Sequence, residues 1–273
     1  MTHLIIFTDL DGTLFKAEPD NTAIATLQKL SALNIPVIPV TRKTRAEVET
    51  RRLVLGLTTP FITENGSGIF IPRDTPFQNP PGELDGDYYV IDLGCPYVQT
   101  RAGLRVIANT LHYSLLGFGD LTIERLQKRT DLSETAAQQA KACEFSEPFI
   151  TPKGVELQAL VKAVEAVGFQ VVLDEPFSYL IGPDASTEDA IAQLTTLYQN
   201  TLPASESFTT VGLGHSPTSL TMLRSVDIPI VIPSPNGPHP KLTEDNWQIA
   251  PTSAPDGWIT AINATCQKLG IEL

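Results

Sequence analysis

The sequence predicts an α/β protein: a Rossmann-like parallel-sheet core carrying an inserted α+β cap domain. Three observations carry this expectation. The run HLIIFTDL at 3–10 is continuously apolar up to its end, as a strand covered on both faces should be. Strand-sized runs then alternate with helical patterns as far as residue 71, and alternate again from residue 187 to the last helix. Between these stretches the alternation is lost over roughly 100 residues, the size of a small domain.

The elements follow in order. After the first strand, NTAIATLQKLSALN (21–34) has the apolar spacing of a helix, with Asp20 or Asn21 as its N-cap. IPVIPVT (35–41) reads as the next strand and TRAEVETRRLVLGL (44–57) as the next helix. PFITENGSGIFI (60–71) reads as a strand, a turn at Asn65-Gly66 and a returning strand. This β-α-β-α-β order implies parallel strands joined by right-handed crossovers. PRDTPFQNPPGELDG (72–86), rich in Pro, Gly and acids, has the composition of a linker. YYVIDLG (88–94) is then a strand, Val98–Leu116 a helix, Thr122–Ala142 a polar helical stretch and 154–167 a further helix. FQVVLD and FSYLIG form a hairpin-like pair. A helix at 187–200, the strand FTTVGLG (208–214), a helix at 217–225, the strand IPIVIPS (228–234) and a last helix at 256–269 complete the chain. The expected division is a core of 1–83 and 185–273 with a cap of 84–184.

Composition narrows the function. The chain has 273 residues, enough to bury a sizeable core, with 42% apolar and 18% charged residues. A net charge of −12, without a Lys/Arg cluster, argues against a nucleic-acid or anionic-membrane surface. The longest apolar runs are strand-sized, too short to span a bilayer. MTHLIIFTDLDGT has no basic leader and no cleavage site, so a cytoplasmic location is expected. Cys95, Cys143 and Cys266 are widely spaced and odd in number, which suggests neither a disulfide framework nor a zinc site.

The strongest chemical signal is TDLDGTLF (8–15), directly after the first strand. Asp9 and Asp11 stand two apart at a strand's C-terminal end, where open α/β sheets bind ligands. Gly12 permits a sharp turn, and Thr13 can hydrogen-bond back to the loop. Two acids so close repel unless a cation lies between them or they share a proton. The pair suits a nucleophile that forms an aspartyl-phosphate and a neighbouring general acid/base, with Mg²⁺ screening both from an anionic substrate. A Ca²⁺ loop or a plain surface turn would use the same residues, although the later acids of a calcium loop are missing.

DxDGT[LF] on a first strand closely resembles the haloacid dehalogenase phosphatases. Further segments are similar to the mannosyl-3-phosphoglycerate phosphatases within subfamily IIB. These are TRKTRAEVETRRLVLGLTTPFITENGSGIFIP (41–72), FGDLTIERLQKRTDLSETAAQQAKACEFSEPF (118–149), VGLGHSPTSLTMLRSVDIPIVI (211–232) and the Gly257-Trp258 pair before the last helix. The likeness spans nearly the whole chain in order. It implies Asp9 as nucleophile and metal ligand, and Asp11 as acid/base with its backbone carbonyl on the metal. Thr41 would hold phosphate, with Arg42 and Lys43 as the nearest cations, and Asn65 and Gly66 would contact the rest of the substrate. Mg²⁺ is the implied cofactor, with Mn²⁺ or another divalent ion as the alternative. The implied partner is a small phosphorylated sugar or glycerate.

The chain departs from that pattern where charge is expected. His215 stands where the family places a metal-binding Asp, and Thr218 and Ser219 replace Asn-Asp. ASTEDAI (185–191) lacks the family's phosphate-binding Lys, and no Lys or Arg occurs between Lys162 and Arg224. Asp174-Glu175-Pro176 and Cys143 take the places of arginine-bearing cap segments. His215 could still ligate a divalent ion, though imidazole suits Mn²⁺, Zn²⁺ or Ni²⁺ better than Mg²⁺. The readings that follow are a phosphomonoesterase of the mannosyl-3-phosphoglycerate type, an impaired relative that binds a sugar phosphate or a partner protein without turnover, and a phosphatase for glucosyl-3-phosphoglycerate or sucrose phosphate.

Overall fold

The N-terminal apolar run is the middle of the main sheet. In the computed structural model, which describes residues 3–16 and 20–273, β1 (His3–Thr8) leads through α1 (Asn21–Ala32) to β2 (Val37–Pro39), and on to α2 (Arg45–Leu55). Asp20 caps α1 by accepting a hydrogen bond from Thr22 N at 2.7 Å. Thr44 and Glu47 form a reciprocal capping box at the start of α2, and Gly56 closes that helix with φ +66°. After α2 come β3 (Phe61–Thr63), β4 (Gly68–Pro72), β5 (Glu83–Asp85) and β6 (Tyr88–Asp92).

Next are α3 (Tyr97–Thr110), α4 (Ile123–Thr130), α5 (Glu134–Ala140), β7 (Glu147–Ile150), α6 (Leu157–Ala166), β8 (Gln170–Val172) and β9 (Phe177–Ile181). The chain returns to the main sheet through α7 (Thr187–Gln199), β10 (Phe208–Gly214), α8 (Leu220–Arg224), β11 (Ile228–Val231), β12 (Gln248–Ile249) and α9 (Asp256–Lys268).

The main sheet has the order β12-β11-β10-β1-β2 with every pairing parallel, so both chain ends build it. Alternate residues of β1 face opposite layers, as the pleat requires. Leu4 and Ile6 pack with Ala23, Leu27 and Leu30 of α1 and with Trp258 and Ile262 of α9. Ile5 and Phe7 pack with Ala190, Ile191 and Leu194 of α7 on the other side. All four β1 side chains are buried, which is why this strand reads as an unbroken apolar run. Trp258 is itself fully buried and donates from Nε1 to Thr8 Oγ1 at 3.1 Å, tying the last helix to the end of β1.

β3, β4, β6 and β5 form an antiparallel sheet, joined to the main sheet by a parallel bridge between Val40 and Ile62. Residues 83–92 therefore share a sheet with residues 61–72. The third sheet, β7-β9-β8, carries α3 and α6 over Phe149 and Leu180. α4 and α5 pack around Leu126, Ala137 and Phe118, and Phe118 meets Phe177 edge-on at 5.0 Å.

Several sequence expectations change in detail. The stretch 122–142 is two helices, because Asp131 adopts φ +56° and Ser133 caps a new start by accepting from Ala136 N. The helix expected to reach Leu116 ends at Thr110, just before His112 turns to φ +48°. The acidic 83–85 segment is strand β5, not linker, held by pairing to β6 alone among the sheet's strands. β7 lies in a segment whose Ser146 and Glu147 look like loop residues, yet both are buried. All three cysteines are free and buried. No helix among the described residues is long and apolar enough to cross a membrane.

Candidate active site

Two neighbouring strand ends create the site. β1 and β10 run parallel in register, with Thr8 opposite Leu213, so the residues that follow each strand emerge at the same edge. Asp9 N donates to Leu213 O at 3.0 Å, which fixes Asp9 beside the β10 exit. Asp9 Oδ1 accepts from Leu10 N at 2.8 Å, while Oδ2 lies 3.3 Å from His215 Nδ1. Thr13 Oγ1 contacts the same imidazole nitrogen at 3.1 Å, so this hydroxyl crosses to His215 and only the Thr13 backbone N returns to the loop, at Leu10 O. Gly12 is required twice over. Its φ is +73°, and a Cβ there would lie 2.6 Å from His215 Nε2.

Asp11 looks toward cations from the neighbouring strand connection. Lys43 Nζ lies 3.0 Å from Asp11 Oδ2 and 3.0 Å from Glu47 Oε1, and an Arg51 nitrogen lies 3.5 Å from Asp11 Oδ1. Burial alone would lower the Lys43 ammonium, but Glu47 and Asp11 hold it above its ordinary value, so it stays charged. The capping box of α2 places this lysine, since Thr44 is the N-cap and Glu47 the third helical residue. Thr41 is buried at the end of the second strand, where its Oγ1 accepts from Lys43 N at 3.3 Å. Arg42 reaches the other way, to Asp174 at 2.5 Å, with its guanidinium 5.6 Å from the Tyr179 ring centroid.

The Glu64-Asn65-Gly66 turn closes the third side. Asn65 sits at φ +60° and donates its backbone N to Thr41 O at 3.3 Å. Its side-chain Nδ2 is buried with no hydrogen-bond partner among the described residues. An unpartnered amide donor costs free energy unless a ligand oxygen meets it.

Asp9, Asp11, Thr41, Arg42, Lys43, Asn65 and His215 thus line one cleft of about 350 Å³. Gly66 does not line it. It carries φ +84° and packs where a Cβ would sit 2.3 Å from Thr187 N, so the turn's backbone geometry requires glycine there. Lys16, Asp174, Thr187 and Ser216 also line the cleft, although none was a candidate ligand in the sequence. Lys16 stands one residue past the TDLDGTLF segment, a signal that position alone could have raised. Thr218 and Ser219 are present in the wall as hydroxyls.

A second cavity of about 310 Å³ shares Arg42 and Lys43 with the first. Its wall combines the aromatic faces of Phe118, Phe177 and Tyr179 with the polar side chains of Thr44, Glu47 and Arg129. Arg129 donates to Arg125 O at 3.3 Å and has no ion pair among the described residues. Burial pushes the Tyr179 phenol up to about 12 against the pull of Arg42, so it is a neutral wall at ordinary pH.

Among the described residues no group of three or more His, Cys, Asp or Glu side chains is disposed to hold an ion. The Asp9 carboxylate and the His215 imidazole, 3.3 Å apart, are the two side-chain donors that stand together in the cleft, so a divalent ion held there would take its remaining ligands from backbone carbonyl, water or phosphate. An imidazole in that set favours Mn²⁺ or Zn²⁺ more than an all-carboxylate set would.

Comparison with known proteins gives a consistent picture. The haloacid dehalogenase-like hydrolase family matches residues 6–80. The chain is 36% identical to the glucosyl-3-phosphoglycerate/mannosyl-3-phosphoglycerate phosphatase of Persephonella marina, over 85% of this chain and 86% of that one. It is 34% identical to the protein of the same name from Methanococcoides burtonii, over 94% and 95%. A solved phosphatase of the haloalkanoate superfamily from Bacteroides thetaiotaomicron shares the fold, with a TM-score of 0.67 at 14% identity over 99% and 96% of the two chains.

Proposed function

Because the chain belongs to the haloacid dehalogenase-like hydrolases, as a relative of the glucosyl- and mannosyl-3-phosphoglycerate phosphatases, we propose that it hydrolyses the phosphate ester of a sugar-phosphoglycerate through Asp9. The observation that carries this reading is the environment of Asp9. One carboxylate oxygen is tied to the backbone at Leu10, and the other lies 3.3 Å from His215 Nδ1, in a cleft that Lys16, Arg42 and Lys43 also line.

In the first step an Asp9 oxygen attacks phosphorus and the bond to the sugar-glycerate oxygen breaks. Protonated Asp11 gives its proton to the departing alkoxide, producing the alcohol. In the second step water attacks phosphorus and gives a proton to Asp11, and the bond from phosphorus to Asp9 breaks to release phosphate. A bound divalent ion would supply charge neutralisation between the acids and the phosphoryl oxygens. Lys43 and Arg51 compensate Asp11, Arg42 and Lys16 offer cations to phosphate, and Asn65 offers its free amide donor. The second cavity suits the leaving group. Aromatic faces accept the apolar side of a sugar ring, and Arg129 offers a partner for a carboxylate. Residues 84–184, taken as the cap, would supply most of that cavity.

The test is hydrolysis of mannosyl-3-phosphoglycerate, glucosyl-3-phosphoglycerate and sucrose phosphate, each with Mg²⁺ or Mn²⁺, by the wild type and Asp9→Asn. Phosphate release that disappears in Asp9→Asn supports the proposal. Absence of turnover with every ester and ion, together with saturable sugar-phosphate binding, would replace it with the reading of a binding protein. His215, Thr187 and Ser219, which bring imidazole and hydroxyl groups to the cleft wall and neither a carboxylate nor a lysine, favour that second reading.

A further inference from the structure

We propose that Glu64 is a positioning residue that couples the inserted layer to the cleft, and so sets how Asn65 meets a ligand. The inference rests on the phosphatase reading only for its kinetic consequence. Glu64 is 1% exposed and lies in a turn in which Glu64, Asn65 and Gly66 all have positive φ, at +47°, +60° and +84°. Non-glycine residues enter that region only when their surroundings hold them there. The Glu64 carboxylate supplies the hold. It accepts from Glu144 N at 2.9 Å, Phe145 N at 3.1 Å, Ser146 N at 2.7 Å and Ser146 Oγ at 2.6 Å. Four donors from one short segment of the inserted layer thus converge on a single side chain from the main body.

The same turn touches both connections between those layers. Leu93 N donates to Ser67 O at 2.9 Å on the outgoing connection, and Ser186 N donates to Gly66 O at 3.3 Å on the returning one. The two connections also run against each other, since a Cβ on Gly182 would lie 2.7 Å from the Gly94 carbonyl carbon. On its inner side the turn is anchored to the phosphate-binding strand end. Glu64 N donates to Lys43 O and Asn65 N to Thr41 O. A shift of segment 144–146 relative to the main body must therefore either break its hydrogen bonds to Glu64 or drag the turn. Dragging the turn moves the unpartnered Asn65 amide and strains the backbone links to Thr41 and Lys43. Glu64 and segment 144–146 act through this turn, and neither is required to touch substrate.

The experiment is amide hydrogen exchange on the full chain, with and without inorganic phosphate and Mn²⁺, combined with kinetics of Ser146→Ala and Glu64→Ala. In the wild type the amides of 144–146 and of 64–67 should gain protection together when phosphate is added. Ser146→Ala removes one donor and leaves the carboxylate in place. It should raise KM for the sugar-phosphoglycerate by about fivefold, with kcat changed less than about twofold, the effect of one lost hydrogen bond on placement rather than chemistry. Glu64→Ala should unlink the protection of the two segments, and Glu64→Asp should restore part of it. Protection of 64–67 that responds to phosphate independently of 144–146 in the wild type would overturn the proposal. Equal losses in kcat and KM effect across aryl and sugar esters in Ser146→Ala would also overturn it. The exchange result needs no turnover, so it stands or falls separately from the phosphatase assignment.

Discussion

Lys43 Nζ lies 3.0 Å from the carboxylate of Asp11 and equally far from that of Glu47. One ammonium thus links the acid/base candidate to the first turn of α2. Its consequence is electrostatic: the Asp11 carboxylate is compensated by Lys43 and, at 3.5 Å, by Arg51.

Lys43→Met should lower kcat by about 10²–10³, the usual cost of removing one positioned cation from a transferring phosphoryl group. Stability should change much less than activity, because Glu47 keeps its capping role to Thr44. Steady-state kinetics beside a urea melt of the same protein separates the two effects. Equal loss of folding and rate would assign Lys43 a structural part only.

His215→Asp should change metal preference. Exchanging imidazole for a hard carboxylate beside Asp9 ought to lower the half-saturating Mg²⁺ concentration by at least about tenfold while affecting Mn²⁺ less. Activity titrations with each ion, and calorimetric titration of the ions without substrate, check this. An unchanged Mg²⁺ to Mn²⁺ ratio would remove His215 from the ion's surroundings.

Tyr179 predicts an alkaline signature. Its phenol is raised to about 12 by burial, so the folded state favours the protonated form. The contribution is complete below pH 10, where the unfolded phenol is also protonated, and is lost as pH rises through about 12. Tyr179→Phe should flatten the fall in unfolding free energy across this window, measured by denaturant titration from pH 9 to 12. The same slope in both proteins would contradict the burial argument.

Trp258→Ala should cost about 3–5 kcal/mol, because it empties a fully buried site between α1, α9 and the main sheet. The loss should extend to activity at temperatures where the fold survives. Trp258 holds Thr8 Oγ1, and that hydroxyl donates to Asp9 O at 2.8 Å. A thermal melt and a rate measured well below the midpoint distinguish the two components.

Much of this was legible in the sequence, and the reasons are local. β1 could be read because it is covered on both faces, and the DxDGT turn because Gly12 must adopt positive φ against an imidazole. The gathering of Thr41, Lys43 and His215 followed from parallel strands ending at one edge. What escaped was whatever depended on distant partners. β7 reads as loop because Glu147 is polar, yet Gly119 N donates to its Oε1 inside the structure. Asp174 became part of the cleft only because Arg42 reaches it across the layers. The resemblance implied Gly66 only as a substrate contact, and the close approach of Thr187, which requires glycine there, could not be seen from the sequence. The sheet shared by 61–72 and 83–92 was hidden because Pro-Gly-acid composition resembles a linker whether or not a short strand is embedded in it.

The most direct test of the account is capture of the covalent intermediate. The enzyme would be mixed with excess sugar-phosphoglycerate, quenched in acid within its first turnovers, reduced with borohydride and mapped by peptide mass spectrometry. Borohydride reduces an acyl phosphate to the alcohol, so Asp9 should be recovered as homoserine in the peptide containing TDLDGTLF, and only when substrate is present. Rapid phosphate release with Asp9 recovered unmodified at every quench time, or with the label on another residue, would contradict Asp9 as the nucleophile.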